Sequence, residues 1–275
     1  MSVLEVKDLR KEYRSFTLDN VSFSLEKGKI TGFIGRNGAG KSTTLKSIFG
    51  FVKKDGGTVE FFDMPFDGNE AQIKQRTGFL LGEVNYYQSK KISSITRVTR
   101  SFFPSWDDEA YKRYMQKFAL DENKKPSELS AGMKVKYSLT LALSHGAELL
   151  VLDEPTSGLD PVSRDEILDI FLDLTREGKT IFFSTHITSD LERCADNIIY
   201  IKNGKIIADE EMNALVGTYR VVAFDSEPQN TEKLIGMRRE KNGYSALIKA
   251  ADSSPDMNAR EATLEEIMLH MEREG

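Results

Sequence analysis

The stretch GRNGAGKST, residues 35–43, follows the apolar run ITGFI and opens the segment KSTTLKSIFG. It fits the pattern G-x-x-x-x-G-K-[ST], with Gly35, Gly40, Lys41 and Ser42 at the specified positions. Between a strand and a helix, such a loop turns successive backbone N–H groups inward to hold phosphate oxygens. The helix N-terminus adds partial positive charge, the lysine can reach the β- and γ-phosphates, and the serine can bind Mg²⁺. The stretch therefore predicts a nucleotide phosphate site rather than a chance glycine turn.

Two more apolar runs end in side chains that suit phosphate chemistry. ELLVLDEP places Asp153 and Glu154 at the end of a buried-strand pattern, and FFSTH does the same for His186. A carboxylate in this position can hold Mg²⁺ through water, and a second can orient an attacking water. Because parallel strands bind ligands at their carboxyl ends, we expect His186 beside the γ-phosphate. Taken singly, an acidic turn and a structural histidine are the commoner explanations.

LSAGM, residues 129–133, precedes the helical run KVKYSLTLALSH. Ser130 is a natural N-cap for that helix. An exposed Ser-x-Gly at a helix start can also bind an anion, because the backbone N–H groups there are unpaired. The residues alone leave both interpretations open.

The composition describes a globular protein without a general affinity for anionic partners. Of 275 residues, 39% are hydrophobic, and the net charge is −5, so no binding to nucleic acid is expected. Cys194 is the only cysteine, which excludes an intramolecular disulfide and fits a reducing cytoplasm. The N-terminus has no signal-peptide core, and no run approaches the ~20 apolar residues of a membrane span.

The first half of the chain alternates strand and helix patterns. SVLEVKDL, FTLDNVSFSLEKG and KITGFIG read as strands and turns, and KSTTLKSIFG reads as a helix closed by Gly50. Residues 84–145 are predicted to be a helical insertion. Its apolar face repeats every four residues at Trp106, Ala110, Tyr114 and Phe118.

The second half contains a helix with clear start and stop residues and a separate C-terminal region. Between ELLVLDEP and KTIFFSTH, Asp160 can cap a helix that Pro161 begins and Gly178 follows. From residue 217, YRVVAF and YSALIKAA look like strands, and Thr263 with Glu266 forms a capping-box pair before a last helix. We therefore divide the chain into residues 1–216 and a small α+β appendage at 217–275.

Taken together, the motifs resemble the nucleotide-binding subunit of ABC transporters over roughly residues 1–215. Phosphate loop, helical insertion, LSAGM, DE, SGLD and a strand ending in histidine follow in that family's order. The resemblance implies an α/β P-loop ATPase core with an antiparallel N-terminal sheet and a helical subdomain. It also implies that ATP binds the Walker A residues Gly35, Arg36, Asn37, Gly38, Ala39, Gly40, Lys41, Ser42 and Thr43.

The resemblance assigns further roles residue by residue. Asp153, with Ser42, looks like the Mg²⁺ ligand, Glu154 like the catalytic base, and His186 like the switch histidine. SGLD, which ends at Asp160, is similar to the D-loop at the nucleotide interface. Tyr13 matches the aromatic residue that stacks on adenine. Its alternative explanation is a buried tyrosine at a strand edge, and Phe16 is the next candidate for the stacking.

Ser130 and Gly132 match the family's signature residues, which touch ATP bound by the other subunit. The usual signature is LSGGQ, whereas this chain has Ala131 and Met133. The substitutions leave in place the serine and glycine that make the anion contact.

A second departure affects the loop after GFLL. The family has a glutamine there that contacts Mg²⁺ and the membrane subunit, whereas this chain has Gly82 followed by Glu83. Glu83 could supply the missing oxygen ligand from a position one residue along the chain.

The resemblance implies an ATPase that drives an ABC transporter from the cytoplasmic face of the membrane. Two cassettes, identical or different, would enclose two ATP molecules and act on a separate permease. A single cassette without a large regulatory domain favours an exporter of the drug or antimicrobial-peptide type. The alternative is a soluble ABC ATPase acting in cofactor assembly or on nucleic acid. The sequence does not identify the substrate.

Overall fold

An antiparallel sheet forms the N-terminal layer. A computed structural model of the chain describes residues 2–80, 87–254 and 257–274. The sheet comprises β1 (Ser2–Tyr13), β2 (Phe16–Glu26), β4 (Gly56–Phe61) and β5 (Met64–Pro65), in the order β2-β1-β4-β5. Its strands alternate buried and exposed side chains, as expected of a sheet with one face on the core. The predicted antiparallel N-terminal sheet is confirmed.

A six-stranded sheet in the order β10-β9-β3-β8-β7-β6 lies at the centre. Its strands are β3 (Ile30–Ile34), β6 (Thr77–Leu80), β7 (Leu149–Asp153), β8 (Thr180–Thr185), β9 (Asn197–Lys202) and β10 (Lys205–Glu211). All neighbouring pairs are parallel except β9 with β10. The carboxyl ends of β3, β8 and β7 therefore meet at one edge, with Asp153 opposite Ser184.

Two helices beside the central sheet begin and end where the sequence predicts. α1 (Lys41–Ile48) follows the phosphate loop, and Gly50 after it has φ +70°. α6 (Pro161–Arg176) starts with proline, and the Asp160 carboxylate accepts hydrogen bonds from two backbone N–H groups of its first turn. Gly178 follows α6 with φ +84°, a conformation that glycine adopts without strain. α2 (Glu70–Arg76) and α7 (Thr188–Cys194) are shorter.

The insertion between β6 and β7 is helical, as predicted. It contains α3 (Ile92–Arg100), α4 (Asp108–Lys117) and α5 (Ala131–Ser144). Asp107 caps α4, so Trp106 lies just before the helix rather than on it. The predicted apolar face is otherwise correct, since Ala110, Tyr114 and Phe118 are buried. Ile92, Tyr111, Met115, Tyr137 and Leu141 belong to a hydrophobic cluster within this insertion.

The inner strands β3, β7 and β8 are covered on both faces, which explains why all their residues are buried and most are apolar. The N-terminal sheet packs on one face, where the rings of Phe33 and Phe182 lie 5.4 Å apart and Phe23 adjoins both. Helices α6 and α7 share the other face with part of the helical insertion and the C-terminal region. This double cover fixes the sheet whose edge carries the candidate site.

The C-terminal region is a small sheet with a helix. α8 (Met212–Thr218) leads into β11 (Tyr219–Phe224), β12 (Ile235–Glu240), β13 (Gly243–Lys249), β14 (Ala259–Glu261) and α9 (Leu264–Met271). The strand order is β12-β13-β11-β14. β13 is shorter than YSALIKAA suggests, because residues 250–252 form a 3-10 turn. The predicted capping box at the start of α9 is present.

Helix α9 also contacts the central sheet. Its Leu264 and Ile267 share a hydrophobic cluster with Tyr200 of β9. The Tyr200 hydroxyl donates a hydrogen bond of 2.9 Å to Glu272, and Lys202 Nζ donates to the carbonyl oxygens of Met271 and Glu274 at 2.7 Å. The end of α9 is therefore tied to the strand beside β3.

Candidate active site

The phosphate loop borders a cleft of about 590 Å³ at the carboxyl edge of the central sheet. The cleft is lined by Ser15, Phe16, Arg36, Asn37, Gly38, Gly40, Lys41, Ser42, Thr43, Glu154, Ser157 and His186. The structure thus brings seven of the nine predicted Walker A residues to one cleft, with Glu154 and His186 beside them. Three strand ends distant in sequence contribute to a single site.

Two glycines of the loop occupy positions that no other residue fits. A Cβ on Gly35 would lie 2.4 Å from the Ile201 carbonyl oxygen. Gly40 has φ +117°, and a Cβ there would lie 2.7 Å from Leu18 Cδ2 and 2.8 Å from Phe16 Cζ. Such close backbone packing is what a loop needs to turn its N–H groups toward phosphate oxygens. The loop therefore fits a nucleotide triphosphate.

Lys41 lies folded across the loop. Its side chain is 5% exposed, and Nζ donates hydrogen bonds to the Gly35 carbonyl at 2.6 Å and to the Arg36 carbonyl at 3.3 Å. Nζ also lies 3.4 Å from Glu154 Oε1. The ammonium group is thus held at the loop, where a phosphate oxygen could replace the neutral carbonyls with a stronger charge-assisted partner.

Glu154 is held in an unusual backbone conformation at the end of β7. Its φ is +51°, in the left-handed region that non-glycine residues seldom adopt. The Glu154 N–H donates to the Ser184 carbonyl at 3.1 Å and to Ser184 Oγ at 3.0 Å. His186 Nδ1 lies 2.8 Å from Glu154 Oε2, so the imidazole donates and the carboxylate accepts.

The donor set at the loop fits Mg²⁺. Asp153 is 7% exposed, and Ser184 Oγ donates a 2.5 Å hydrogen bond to its Oδ1. Ser42 lines the cleft at the start of α1. Across residues 2–80, 87–254 and 257–274, no three histidine, cysteine or acidic side chains cluster as a metal site. Mg²⁺ usually takes one or two protein carboxylates and completes its shell with water and phosphate oxygens, so this set suffices. Glu83 lies outside the described residues, and its predicted role stays a prediction.

Tyr13 does not line the cleft, whereas Phe16 does. The two residues pair across the turn between β1 and β2, and the Tyr13 side chain is 47% exposed beside Lys11. The explanation of Tyr13 as a buried residue is therefore wrong. The exposed ring is available for stacking on a base, and this role stays a prediction.

Ser130, Gly132 and Asp160 lie outside the cleft lining. Ser130 caps α5 by accepting a 3.2 Å hydrogen bond from the Met133 N–H, and its side chain is exposed. Gly132 is buried near Ser163. Asp160 caps α6, and the hydrogen bond from Ser163 Oγ lowers its pKa. Their predicted contacts with ATP involve a second subunit and stay predictions.

The sequence analysis did not single out Ser184, Thr156 or Asp190. Ser184 bonds both Asp153 and the backbone of Glu154, and its signal was a hydroxyl directly after the apolar run of β8. Thr156 donates a 2.6 Å hydrogen bond to Asp190, which is 34 residues away in the chain. No local sequence pattern predicts a contact between residues so far apart in the chain.

Comparisons with known proteins agree with this geometry. The family described as ABC transporter matches residues 18–157. The bacitracin transport ATP-binding protein BcrA of Bacillus licheniformis is 32% identical over 212 residues, which are 76% of this chain and 69% of that protein. The lantibiotic transport ATP-binding protein SrtF of Streptococcus pyogenes is 34% identical over 214 residues, 76% of this chain and 91% of its own length. A solved ATP-binding subunit of an ABC transporter superposes with a TM-score of 0.70 at 26% identity, covering 78% of this chain and 92% of that one.

Proposed function

The chain belongs to the ABC transporter family as an ATP-binding subunit that hydrolyses ATP, and from this premise we propose that it powers export through a separate transmembrane permease. Two relatives are named for the transport of bacitracin and of a lantibiotic. An antimicrobial peptide is therefore the substrate class we propose. We assign the ATPase unit to residues 1–216 and an accessory unit to 217–275.

The observation that carries the proposal is the convergence of Lys41, Glu154 and His186 at the phosphate-loop cleft. ATP binding moves Lys41 Nζ from the Gly35 carbonyl to the β- and γ-phosphates, because the anionic oxygens are stronger acceptors. This shift also takes the ammonium group away from Glu154 Oε1. The freed oxygen can then accept a proton from a water molecule.

Hydrolysis uses the two ends of the Glu154 carboxylate differently. Oε2 accepts the hydrogen bond from His186, which orients the group. Oε1 takes a proton from the attacking water as its oxygen bonds to the γ-phosphorus and the bond to ADP breaks. Ser42 and Asp153 are the residues that would hold Mg²⁺, which when bound neutralises phosphate charge.

A second cassette completes the site. Ser130 and Ala131 at the start of α5 are exposed, do not line this chain's own cleft, and offer a surface that can bind an anion. In the proposed dimer, this surface contacts the γ-phosphate of ATP held by the partner. ADP lacks that phosphate, so hydrolysis releases the dimer.

The proposed permease would hold this subunit at the cytoplasmic face of the membrane. Among the residues that the structure describes, no helix has the length and apolar character for a bilayer crossing. The helical insertion and the loop at 82–90 are the proposed docking surface, and Tyr87 there is 78% exposed. Glu83 of this loop is the additional Mg²⁺ ligand that we propose.

Glu154→Gln tests the hydrolytic core of the proposal. The variant should bind ATP normally while its turnover falls 10²–10⁴-fold, since it lacks the general base. ATP should then accumulate in a dimer visible by size-exclusion chromatography with light scattering, and ADP should not support it. Adding Ser130→Arg should abolish that dimer.

Glu109→Gln is the control, because Glu109 is an exposed carboxylate of α4 that forms an ion pair with Lys112 on the same helix. It should hydrolyse ATP at the wild-type rate. Wild-type turnover by Glu154→Gln would overturn the assignment of the base.

Export itself is tested in cells that express the chain with its membrane partner. Resistance to bacitracin should rise, and Glu154→Gln should remove the gain. A chain that recovers no permease from membranes would favour the alternative, an ABC ATPase in cofactor assembly or on nucleic acid. The relatives named for transport and the net charge of −5 speak against that alternative.

A further inference from the structure

Asp190 is a buried carboxylate behind the candidate active site that the proposed chemistry does not use. It lies on α7, four residues after His186, and is 1% exposed. A fully buried acidic residue is uncommon and needs partners that offset the loss of hydration. Burial raises the pKa of Asp190, and its partners oppose that rise.

The partners of Asp190 come from the segment that carries Glu154. Thr156 Oγ1 donates a 2.6 Å hydrogen bond to Asp190 Oδ2, and Thr156 is fully buried. Arg164 of α6 places Nε 3.8 Å from Asp190 Oδ1. That nitrogen is buried and has no hydrogen-bond partner within the described part of the chain, and it forms an ion pair with Asp190. The carboxylate thus joins the turn after β7 to the turn after β8.

These two turns hold the reacting groups. The turn after β7 contains Glu154 and, three residues on, Ser157, which lines the cleft. The turn after β8 contains His186, and the Asp190 N–H closes it by donating to the Ile187 carbonyl at 3.3 Å. Movement of either turn would separate the imidazole from the carboxylate.

Glu154 depends on such support more than an ordinary residue. Its left-handed backbone conformation persists only where the surroundings enforce it. When Lys41 moves to ATP, the carboxylate also loses its contact with the ammonium group. The hydrogen bond from His186, the backbone contacts with Ser184 and the link through Thr156 then remain to keep the base in place.

We propose that Asp190 is a positioning residue for ATP hydrolysis, which clamps the turn of Glu154 to the turn of His186 through Thr156 and Arg164. This inference rests on the proposed role of Glu154 as base. It assigns Asp190 no contact with nucleotide, so its loss should lower turnover and spare binding.

Asp190→Asn and Thr156→Val test the clamp. Each variant keeps nearly the same volume and removes either the charge or the hydroxyl donor. We expect kcat for ATP to fall by about 10-fold or more, as small displacements of a base do, while the Kd for ATP changes less than about 2-fold. Thr156→Ser, which retains the hydroxyl, should restore most of the turnover. The double variant should lose little more than either single one, because both break the same link.

Thr96→Val is the matched control. Thr96 is buried in α3, and its hydroxyl bonds those of Tyr111 and Tyr137, away from the cleft. It should lose comparable stability and keep wild-type kcat. Urea unfolding of all variants separates stability from turnover.

Several results would overturn the inference. The first two are a wild-type kcat in Asp190→Asn and a loss of kcat in Thr96→Val as large as that in Asp190→Asn. The other two are a double variant whose loss of kcat equals the product of the two single losses, and a Thr156→Ser variant with a kcat as low as that of Thr156→Val. Glu154→Gln, measured in the same assay, tells the two proposals apart. If Glu154→Gln is inactive while Asp190→Asn has the wild-type kcat, only the proposed role of Asp190 is wrong. If Glu154→Gln hydrolyses ATP at the wild-type rate, the assignment of Glu154 as the base is wrong.

Discussion

Lys41 is a buried cation whose hydrogen bonds go to two carbonyl oxygens of its own loop. A triphosphate offers it anionic acceptors at the same place, which are stronger partners than neutral ones. The hydrogen bonds of Lys41 therefore become stronger when nucleotide replaces the carbonyl oxygens as acceptor.

Lys41→Ala should weaken ATP binding by about 1.5–3 kcal/mol, or about 10- to 150-fold, which is the usual contribution of hydrogen bonds to charged groups. Titration with a fluorescent ATP analogue measures the change. Lys46→Ala is the control, since Lys46 is an exposed lysine of the same helix. Equal affinities for Lys41→Ala and wild type would contradict the phosphate-loop assignment.

Tyr13→Ala should weaken ATP binding by about 1–3 kcal/mol, because the stacking of a base on an aromatic ring contributes a binding free energy in that range. The binding of GTP should weaken equally, since stacking does not distinguish the edges of the bases, and Tyr13→Phe should bind ATP with wild-type affinity. Isothermal titration calorimetry of wild type, Tyr13→Ala and Tyr13→Phe measures these affinities. If Tyr13→Ala binds as wild type does, Phe16 inside the cleft is the stacking ring.

Among the elements, α9 shows how a helix start is stabilised by charge. Thr263 Oγ1 accepts from the Glu266 N–H, and the Thr263 N–H donates back to the Glu266 carboxylate at 3.0 Å. Arg260 of β14 donates to both oxygens of that carboxylate. The Arg260 hydrogen bonds lower the pKa of Glu266 to about 2.

Glu266→Gln should therefore lower the free energy of unfolding by about 1–3 kcal/mol at neutral pH and by less in acid. A carboxylate with a depressed folded-state pKa stabilises the fold above its unfolded value, near 4.5, and loses that contribution as the pH falls toward 2. Urea midpoints of wild type and variant should differ at pH 7 and draw closer at pH 4. A gap that stays constant with pH would show that the Arg260 pair does not contribute.

At the scale of the whole molecule, the C-terminal region shares a core with the ATPase unit. Ile267 of α9 is fully buried in the cluster that includes Leu191 and Tyr200. Regions joined by a continuous core unfold together, whereas independent domains are separated by exposed linkers. We therefore expect the appendage and the ATPase unit to unfold as one.

Ile267→Ala should lower the free energy of unfolding by about 2–5 kcal/mol, as large-to-small changes in a core do. The single tryptophan, Trp106, lies in the helical insertion far along the chain and reports that region by fluorescence. In Ile267→Ala, the unfolding transition followed by Trp106 fluorescence and the one followed by circular dichroism should both shift to lower denaturant concentration by the same amount. Leu269→Ala, at a 39% exposed position of the same helix, should change little. An unmoved Trp106 transition in Ile267→Ala would mean that residues 217–275 unfold separately.

The sequence by itself determined the elements whose causes are local. The phosphate loop is recognisable because its backbone needs glycine at Gly35 and Gly40, and α6 because Asp160, Pro161 and Gly178 mark its ends. The N-terminal strands and the helical insertion follow from periodicity, whereas the family resemblance implied the antiparallel pairing of those strands. Family resemblance then supplied the functional class, which the comparisons bear out.

Only the tertiary structure decided which side chains meet. Glu154 and His186 are 32 residues apart, and Thr156 and Asp190 are 34 apart, yet each pair is in direct contact. These contacts depend on the order β3-β8-β7 in the sheet and on the packing of α7 and α6 behind it. Likewise, only the fold placed Phe16 in the cleft and Tyr13 outside its lining. Local patterns specify backbone conformation, whereas contacts across a sheet depend on how all the elements pack at once.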